Sequence, residues 1–98
     1  CLDNLQTARL ANLELLAAYP GFRFVRGDIA HGLPPAVLRE AGAIRRIYNL
    51  ACAASPLLYQ ADPEHTMLTN VVGTDSLLRL AEQSGARFLL ASTSEVYG

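Results

Sequence analysis

Three segments decide the fold: IRRIYNL at residues 44–50, DPEHTMLTNVVGTDSLLRLAEQ at residues 62–83, and FLLA at residues 88–91. The first and third are short runs of β-forming side chains, whereas the second opens with a capping aspartate followed by proline, as helices commonly do. Gly85 follows this helix at the position where a C-terminal cap is expected. A strand, a crossover helix and another strand in this order are typical of a parallel sheet.

The residues before this unit repeat the same alternation. An apolar strand end at residues 1–2 precedes a predicted amphipathic helix at residues 7–19, a strand at residues 22–26 and a short helix at residues 33–40. We therefore predict an α/β fold built as a partial, Rossmann-like, doubly wound parallel sheet. A glycine-rich turn and the strand before it are missing from the pattern, so residues 1–98 are expected to be an internal fragment of one domain.

Composition excludes several classes of function. Half of the chain (51%) is hydrophobic and 17% is charged, which is typical of a packed domain. The net charge is −1 and every basic residue is an arginine, without a basic run that would bind nucleic acid. No apolar stretch is long enough to cross a membrane, and two cysteines favour a reducing cytoplasm. No cluster has metal-ligand spacing, and we expect His65 to face solvent.

Polar or small side chains follow each predicted strand, at residues 3–4, at Asp28, at residues 51–53 and at residues 92–95. Because ligands of open parallel sheets bind at the carboxyl ends of the strands, these four places form one candidate site.

Each of these features has a functional and a purely structural interpretation. Asp3 could accept hydrogen bonds from the ribose hydroxyls of a dinucleotide, which would favour NAD over NADP, or it could form an Asx-turn. Asp28 could accept a hydrogen bond from an adenine amino group, although alone it is better interpreted as a turn residue. The hydroxyls of residues 92–94 could hold a substrate alcohol or could satisfy their own loop backbone.

Six motifs carry a resemblance to a known family. They are DNLQT at 3–7, RGD at 26–28, YNLACAASP at 48–56, YQADP at 59–63, TNVVGT at 69–74 and ASTSEVYG at 91–98. Together they resemble the extended short-chain dehydrogenases/reductases, and more narrowly the UDP-glucuronate decarboxylase (UDP-xylose synthase) branch of the NAD-dependent epimerase/dehydratase family. The resemblance covers essentially the whole chain and implies a fragment of an NAD(P)-binding Rossmann-like domain.

The resemblance implies a lyase of nucleotide-sugar metabolism that uses NAD. Such an enzyme oxidises UDP-glucuronate at C4, loses carbon dioxide from the 4-keto acid, and regains the hydride to give UDP-xylose. The complete protein would bind a UDP-sugar and form a homodimer through helices that include the one beginning at Asp62. The chain contains no lysine, so it lacks the Tyr-x-x-x-Lys couple of such enzymes and is predicted to be inactive alone.

The resemblance also implies roles for individual residues. Thr93 matches the catalytic hydroxyl that orients the sugar, Glu95 matches an acid that handles the carboxyl group, and Asn70 fixes the backbone near the site. Cofactor contacts are expected at the following positions: Asp3 on the adenosine ribose, Asn4, Leu5 and Thr7 beside it, Asp28 and Ile29 around the adenine, Leu50 and Cys52 under the dinucleotide, and Thr69 from the long helix.

Two alternatives stay open. One is a sugar-nucleotide 4,6-dehydratase or 4-epimerase. A dehydratase would have an Asp-Glu pair where this chain has Ser94-Glu95, and an epimerase would lack Glu95. The other is a protein that binds a dinucleotide without catalysis.

Overall fold

The computed structural model describes the backbone of residues 1–97 and the side chains of that range other than those of Ser94 and Glu95. Helices and short strands alternate along it, so the α/β class is confirmed. Four strands form among these residues: β1 (Leu2–Asp3), β2 (Val25–Arg26), β3 (Arg46–Asn49) and β4 (Arg87–Leu90). The α-helices are α1 (Ala11–Ala17), α2 (Pro35–Leu38), α3 (Pro56–Ala61), α4 (Pro63–Leu68) and α5 (Thr74–Ser84).

The strands form two parallel pairs rather than the single sheet that the sequence predicts. β1 lies beside β2, with Leu2 opposite Val25, and β3 lies beside β4, with Asn49 opposite Leu90. Within the described residues the two pairs do not hydrogen-bond to each other. β1 and β3 are therefore not neighbouring strands of one sheet, because neighbouring strands must exchange backbone hydrogen bonds.

The first helix is shorter than the predicted span of residues 7–19. The backbone N–H of Leu5 donates to Asp3 Oδ1 over 2.6 Å, and that of Gln6 donates to Asn4 Oδ1 over 2.9 Å. These side chains compete with helical hydrogen bonds, so the chain turns before α1 begins. Leu5 takes a φ of 63° in this turn, a left-handed backbone conformation that residues other than Asn, Asp and Gly rarely adopt.

The start of the long helical region is confirmed at Asp62. Its Oδ1 accepts a hydrogen bond from the His65 backbone N–H over 2.9 Å, and Pro63 occupies the first helical position of α4. The separate helix α3 just before it was not predicted. It begins at Pro56, whose fixed φ suits the first turn of a helix as well as a loop.

The long region is helical up to the predicted end, but it is not one regular helix. A π-helical segment (Thr69–Gly73) separates α4 from α5, and Gly85 ends α5 with a φ of 67°. In the π-helical segment, a Cβ on Gly73 would lie 2.6 Å from Cγ1 and Cδ1 of Ile29. The absence of a side chain at this position allows the helix to pack closely on the loop that follows β2.

The core is small. Its buried apolar residues lie in the 3₁₀ turn after β2 and along the inner face of α5, and they are Ile29, Ala30, Leu77, Leu80 and Ala81. The Asn49 side chain, also buried, donates through Nδ2 to Thr74 Oγ1 over 3.1 Å and so ties the end of β3 to α5. Within the described part of the chain, no helix is both long and apolar enough to span a lipid bilayer.

Candidate active site

A cleft of about 110 Å³ opens where β1, β2 and β3 end, with α4 forming its other wall. Eight of the nine residues predicted to contact a cofactor line this cleft. Asp3, Asn4, Thr7, Asp28 and Ile29 line it from the β1–β2 side. Leu50 and Cys52 line it from the loop after β3, and Thr69 lines it from the helical region. The structure thus brings together residues that lie up to 66 positions apart in sequence (Asp3 to Thr69).

The turn after β1 holds Asp3 in the Asx geometry that the sequence left as one of two interpretations. Asp3 Oδ1 accepts the Leu5 N–H, whereas Oδ2 accepts no hydrogen bond from the described residues. One carboxylate oxygen therefore shapes the turn, and the Asp3 side chain lines the cleft. Leu5, the ninth predicted residue, forms the turn and is not among the described residues that line the cleft.

Asp28 is both a turn residue and the centre of a hydrogen-bond network. Its Oδ1 accepts the Ala30 N–H over 2.9 Å and caps the 3₁₀ turn that begins at Ile29. Its Oδ2 accepts from Asn4 Nδ2 over 2.9 Å and lies 2.7 Å from His65 Nε2. Asn4 and His65 thus join the β1 turn and α4 to the loop that follows β2.

The network lowers the pKa of Asp28. Burial alone raises the pKa by penalising the charged form, but the hydrogen bonds from Asn4, His65 and the Ala30 backbone, with the attraction of His65, outweigh it. The carboxylate is therefore ionised over the physiological pH range and places a negative charge in the wall of the cleft.

The prediction that His65 faces solvent is wrong. Only 19% of its side chain is exposed, and the imidazole lies against Asp28 and lines the cleft. The sequence does contain a signal for this position, since His65 and Thr69 are four residues apart and share one helix face. A residue one turn before a predicted cofactor contact is a candidate for the same site.

Thr69 carries a buried hydroxyl without a partner. The residue is 7% exposed, and its Oγ1 makes no hydrogen bond with the described residues although it borders the cleft. An unsatisfied buried hydroxyl costs about 1–3 kcal/mol, so this atom fits a site that a polar ligand or water completes. Asp3 and Thr69 thus place a carboxylate and a hydroxyl in the wall of the same cleft.

The loop after β3 is contacted by a side chain from the helical region, that of Asn70. Asn70 donates through Nδ2 to Cys52 Sγ over 3.1 Å and to the Thr66 carbonyl oxygen over 2.8 Å. Asn70 therefore links the helical region to the Cys52 side chain, and the backbone carbonyl that it contacts belongs to its own helical region. Cys52 is a free cysteine with an exposed side chain.

The two predicted catalytic residues follow β4 in the sequence. Thr93 is exposed and does not line the described cleft. The Glu95 side chain lies outside the described residues. Among the described residues, no three His, Cys, Asp or Glu side chains come together as a metal site.

Comparison with known sequences provides an independent result. A family model described as GDP-mannose 4,6 dehydratase matches residues 2–98. The chain is 46% identical over 97 residues to UDP-glucuronic acid decarboxylase 1 of Arabidopsis thaliana, covering 99% of this chain and 21% of that protein. It is 46% identical over 96 residues to UDP-glucuronic acid decarboxylase 3 of the same plant, covering 98% and 26%. It is 41% identical over 97 residues to UDP-glucuronic acid decarboxylase 1 of Danio rerio, covering 99% and 22%.

Parallel strand pairs with a polar cleft at the carboxyl ends of β1, β2 and β3 define an α/β protein whose candidate site lies at these strand ends. Within that class, the chain belongs to the NAD-dependent epimerase/dehydratase family. It spans between 21% and 26% of the length of the relatives named above.

Proposed function

We propose that the complete protein that carries this sequence is a UDP-glucuronate decarboxylase. It would use NAD to convert UDP-glucuronate to UDP-xylose through a 4-keto intermediate. The observation that carries the proposal is the cleft in which Asp3, Asp28 and Thr69 meet. The identity of about 45% to UDP-glucuronic acid decarboxylases supports the choice of substrate.

The fold of the complete domain is proposed to be Rossmann-like. Both strand pairs are parallel, and the carboxyl ends of β1, β2 and β3 border the same cleft, as expected of two halves of one doubly wound sheet. A further strand between β1 and β3 would join the halves. The glycine-rich turn that grips pyrophosphate would follow that strand at the same end of the sheet.

The cofactor is proposed to be NAD, bound with its adenosine end between the two strand ends. Asp3 Oδ2 would accept the ribose hydroxyls and repel the 2′-phosphate of NADP. Asp28 and Ile29 would flank the adenine, and Leu50 and Cys52 would lie under the dinucleotide. The Thr69 hydroxyl would gain the partner that it lacks.

Bound NAD would supply a hydride acceptor for C4 of the sugar and return the hydride at the end of the cycle. The chain's own part would be to hold the reactants in place. Thr93 would orient the sugar through its hydroxyl, and Glu95 would face the carboxyl-bearing part of the substrate. The residue that takes the proton from the C4 hydroxyl would come from another part of the protein, as would its lysine partner.

A 4,6-dehydratase is the second candidate, because the matching family model is described by that activity. Ser94-Glu95 after Thr93, in place of an Asp-Glu pair, favours decarboxylation. We propose further that the enzyme is cytoplasmic and homodimeric. Exposed apolar side chains along the helical region, including Met67 in α4, Val71 in the π-helical segment and Leu78 in α5, are suited to a subunit interface.

The test is to incubate the complete protein with NAD and, separately, UDP-glucuronate, GDP-mannose and UDP-galactose, and to identify products by mass spectrometry. Decarboxylation predicts a UDP-pentose and carbon dioxide from UDP-glucuronate alone. Loss of water from GDP-mannose, or a UDP-hexose epimer with UDP-glucuronate unchanged, would replace the proposed activity with one of its rivals. A Thr93→Val variant is expected to lose at least about 100-fold in turnover if Thr93 orients the sugar.

A further inference from the structure

The imidazole of His65 lies in the wall of the cleft, in direct contact with Asp28. His65 Nε2 and Asp28 Oδ2 are 2.7 Å apart, and the two side chains are 19% and 25% exposed. The contact joins residues 37 positions apart on two different elements, α4 and the loop after β2. It is therefore a product of the tertiary fold and not of local turn geometry.

The hydrogen bonds around Asp28 limit what else the carboxylate can accept. A carboxylate has about four acceptor directions, two on each oxygen. The side chains of Asn4 and His65 occupy both directions on Oδ2, and the Ala30 N–H occupies one on Oδ1. The fourth direction, on Oδ1, receives no hydrogen bond from the described part of the chain. The carboxylate is also fixed in rotation, because turning it would break three hydrogen bonds.

We propose that His65 is a positioning residue for the adenine end of the cofactor, which holds Asp28 so that its one open acceptor direction receives the adenine 6-amino group. This inference rests on the proposed function, since it requires that the cleft bind an adenine dinucleotide. It adds a specificity-determining role for a helix residue that does not itself touch the adenine amino group. A base that presents an oxygen in place of that amino group would face a fixed negative charge.

His31 provides a matched control for His65. Its ring centroid lies 6.4 Å from that of His65 with the rings inclined by 57°. Its imidazole forms no hydrogen bond with the Asp28 carboxylate among the described residues, and it does not line the described cleft. Its backbone N–H donates to the Asp28 carbonyl oxygen over 3.1 Å, a bond that a change of side chain retains. Replacing His31 removes a second imidazole from the same neighbourhood but leaves the carboxylate contacts intact.

The experiment measures dissociation constants by calorimetry on the complete protein, with NAD and with nicotinamide hypoxanthine dinucleotide. That analogue has a carbonyl oxygen where adenine has its amino group. The native protein is expected to bind NAD about tenfold more tightly than the analogue, as the loss of a hydrogen bond to a charged group predicts. In His65→Phe this ratio should fall to about one, mainly through weaker NAD binding. His31→Phe should keep the native ratio.

A purely structural role for His65 would weaken both ligands equally and leave their ratio unchanged, and that result would overturn the inference. His65→Gln, which keeps a donor, should retain an intermediate ratio and decides the question if His65→Phe does not fold. Native protein that binds NAD without distinguishing the analogue would also overturn the inference while leaving the proposed function intact. Native protein that binds no NAD would overturn both.

Discussion

At Leu5, the chain after β1 adopts a backbone conformation that an ordinary side chain disfavours. Its φ of 63° lies in the left-handed region, where a Cβ costs about 1–2 kcal/mol. The Asx hydrogen bond from the Leu5 N–H to Asp3 Oδ1 holds the residue there. The turn therefore directs the Asp3 carboxylate into the cleft at the expense of local strain.

This strain predicts an inverted order of stability for two variants. At most positions alanine is more stable than glycine by about 0.4–1 kcal/mol, because glycine loses more entropy on folding. At position 5 we expect Leu5→Gly to be more stable than Leu5→Ala by about 1 kcal/mol, since only glycine relieves the positive φ. Denaturant unfolding of the complete protein measures the difference. Ala17→Gly in α1 is the control, and there alanine should be more stable than glycine. If alanine were also more stable than glycine at position 5, Leu5 would not be strained.

Asp28 predicts a dependence of stability on pH. Its pKa is lowered in the folded protein, so below the ordinary aspartate value of about 3.9 the unfolded chain binds more protons than the folded one. The carboxylate thus adds its full contribution to the free energy of unfolding above the ordinary aspartate pKa. This contribution is lost as the pH falls through the lowered pKa of the folded protein. The difference in unfolding free energy between native protein and Asp28→Asn should be largest near pH 6 and shrink below pH 4. Glu82→Gln, on the exposed side of α5, should show little change, and a constant difference for Asp28→Asn would refute the account.

Residue-scale features differ in how far the sequence predicts them. Eight of the nine predicted cofactor contacts line one cleft because each follows a strand end or lies on the helix facing those ends. The contact between His65 and Asp28 could not be predicted from local patterns. It depends on how α4 packs against the loop after β2, which tertiary structure decides.

At the scale of elements, the helical region from Pro63 to Ser84 could likewise be predicted only in part from the sequence. Its two ends could be predicted, because Asp62 with Pro63 starts the region and Gly85 ends it through local backbone chemistry. The π-helical segment in its middle could not, since no residue type specifies it. It begins at Thr69, whose hydroxyl borders the cleft, and such π turns often occur at functional sites.

The packing of this segment predicts an unusual response to a helix-favouring change. Gly73→Ala should gain up to about 1 kcal/mol from helix propensity. However, its Cβ would lie 2.6 Å from two carbon atoms of Ile29, so we expect a net loss of about 1–3 kcal/mol in unfolding free energy. Ile29→Val, which removes Cδ1, should reduce that loss. Gly42→Ala is the matched control, because a Cβ there meets nothing within 4 Å, and it should be neutral or slightly stabilising.

An equal effect of alanine at positions 73 and 42 would show that the helix does not approach Ile29 closely.

The strand pairs also could be predicted only in part from the sequence. Their parallel direction could be predicted from the strand–helix–strand order, but their separation into two pairs could not, because pairing depends on which edges meet.

At the scale of the whole molecule, the chain exposes more surface than a folded protein of its mass usually does. Its accessible surface is 7329 Å², whereas a monomer of 10.6 kDa is expected to expose about 5,500 Å². Many large apolar side chains are exposed, among them Leu15, Leu57 and Tyr97 at 77%, 83% and 91% exposure. Helix α1 buries none of its residues.

We therefore expect residues 1–98, expressed alone, to be only marginally folded and to have no turnover. The isolated chain should bind a hydrophobic dye strongly and unfold without a sharp transition. The complete protein should bind little dye and unfold in a sharp transition. Sharp unfolding or measurable decarboxylation by the isolated chain would contradict this expectation.

The preference between NAD and NADP is the most direct test of the claim that this cleft holds the dinucleotide with Asp3 at its ribose. Calorimetry on the complete protein should show NAD binding at least about tenfold more tightly than NADP, because Asp3 repels the 2′-phosphate. Asp3→Asn removes the charge but keeps the side-chain oxygen of the turn, and it should bring the two affinities to within a few fold of each other. Equal binding of NAD and NADP by the native protein, or an unchanged preference in Asp3→Asn, would contradict the account.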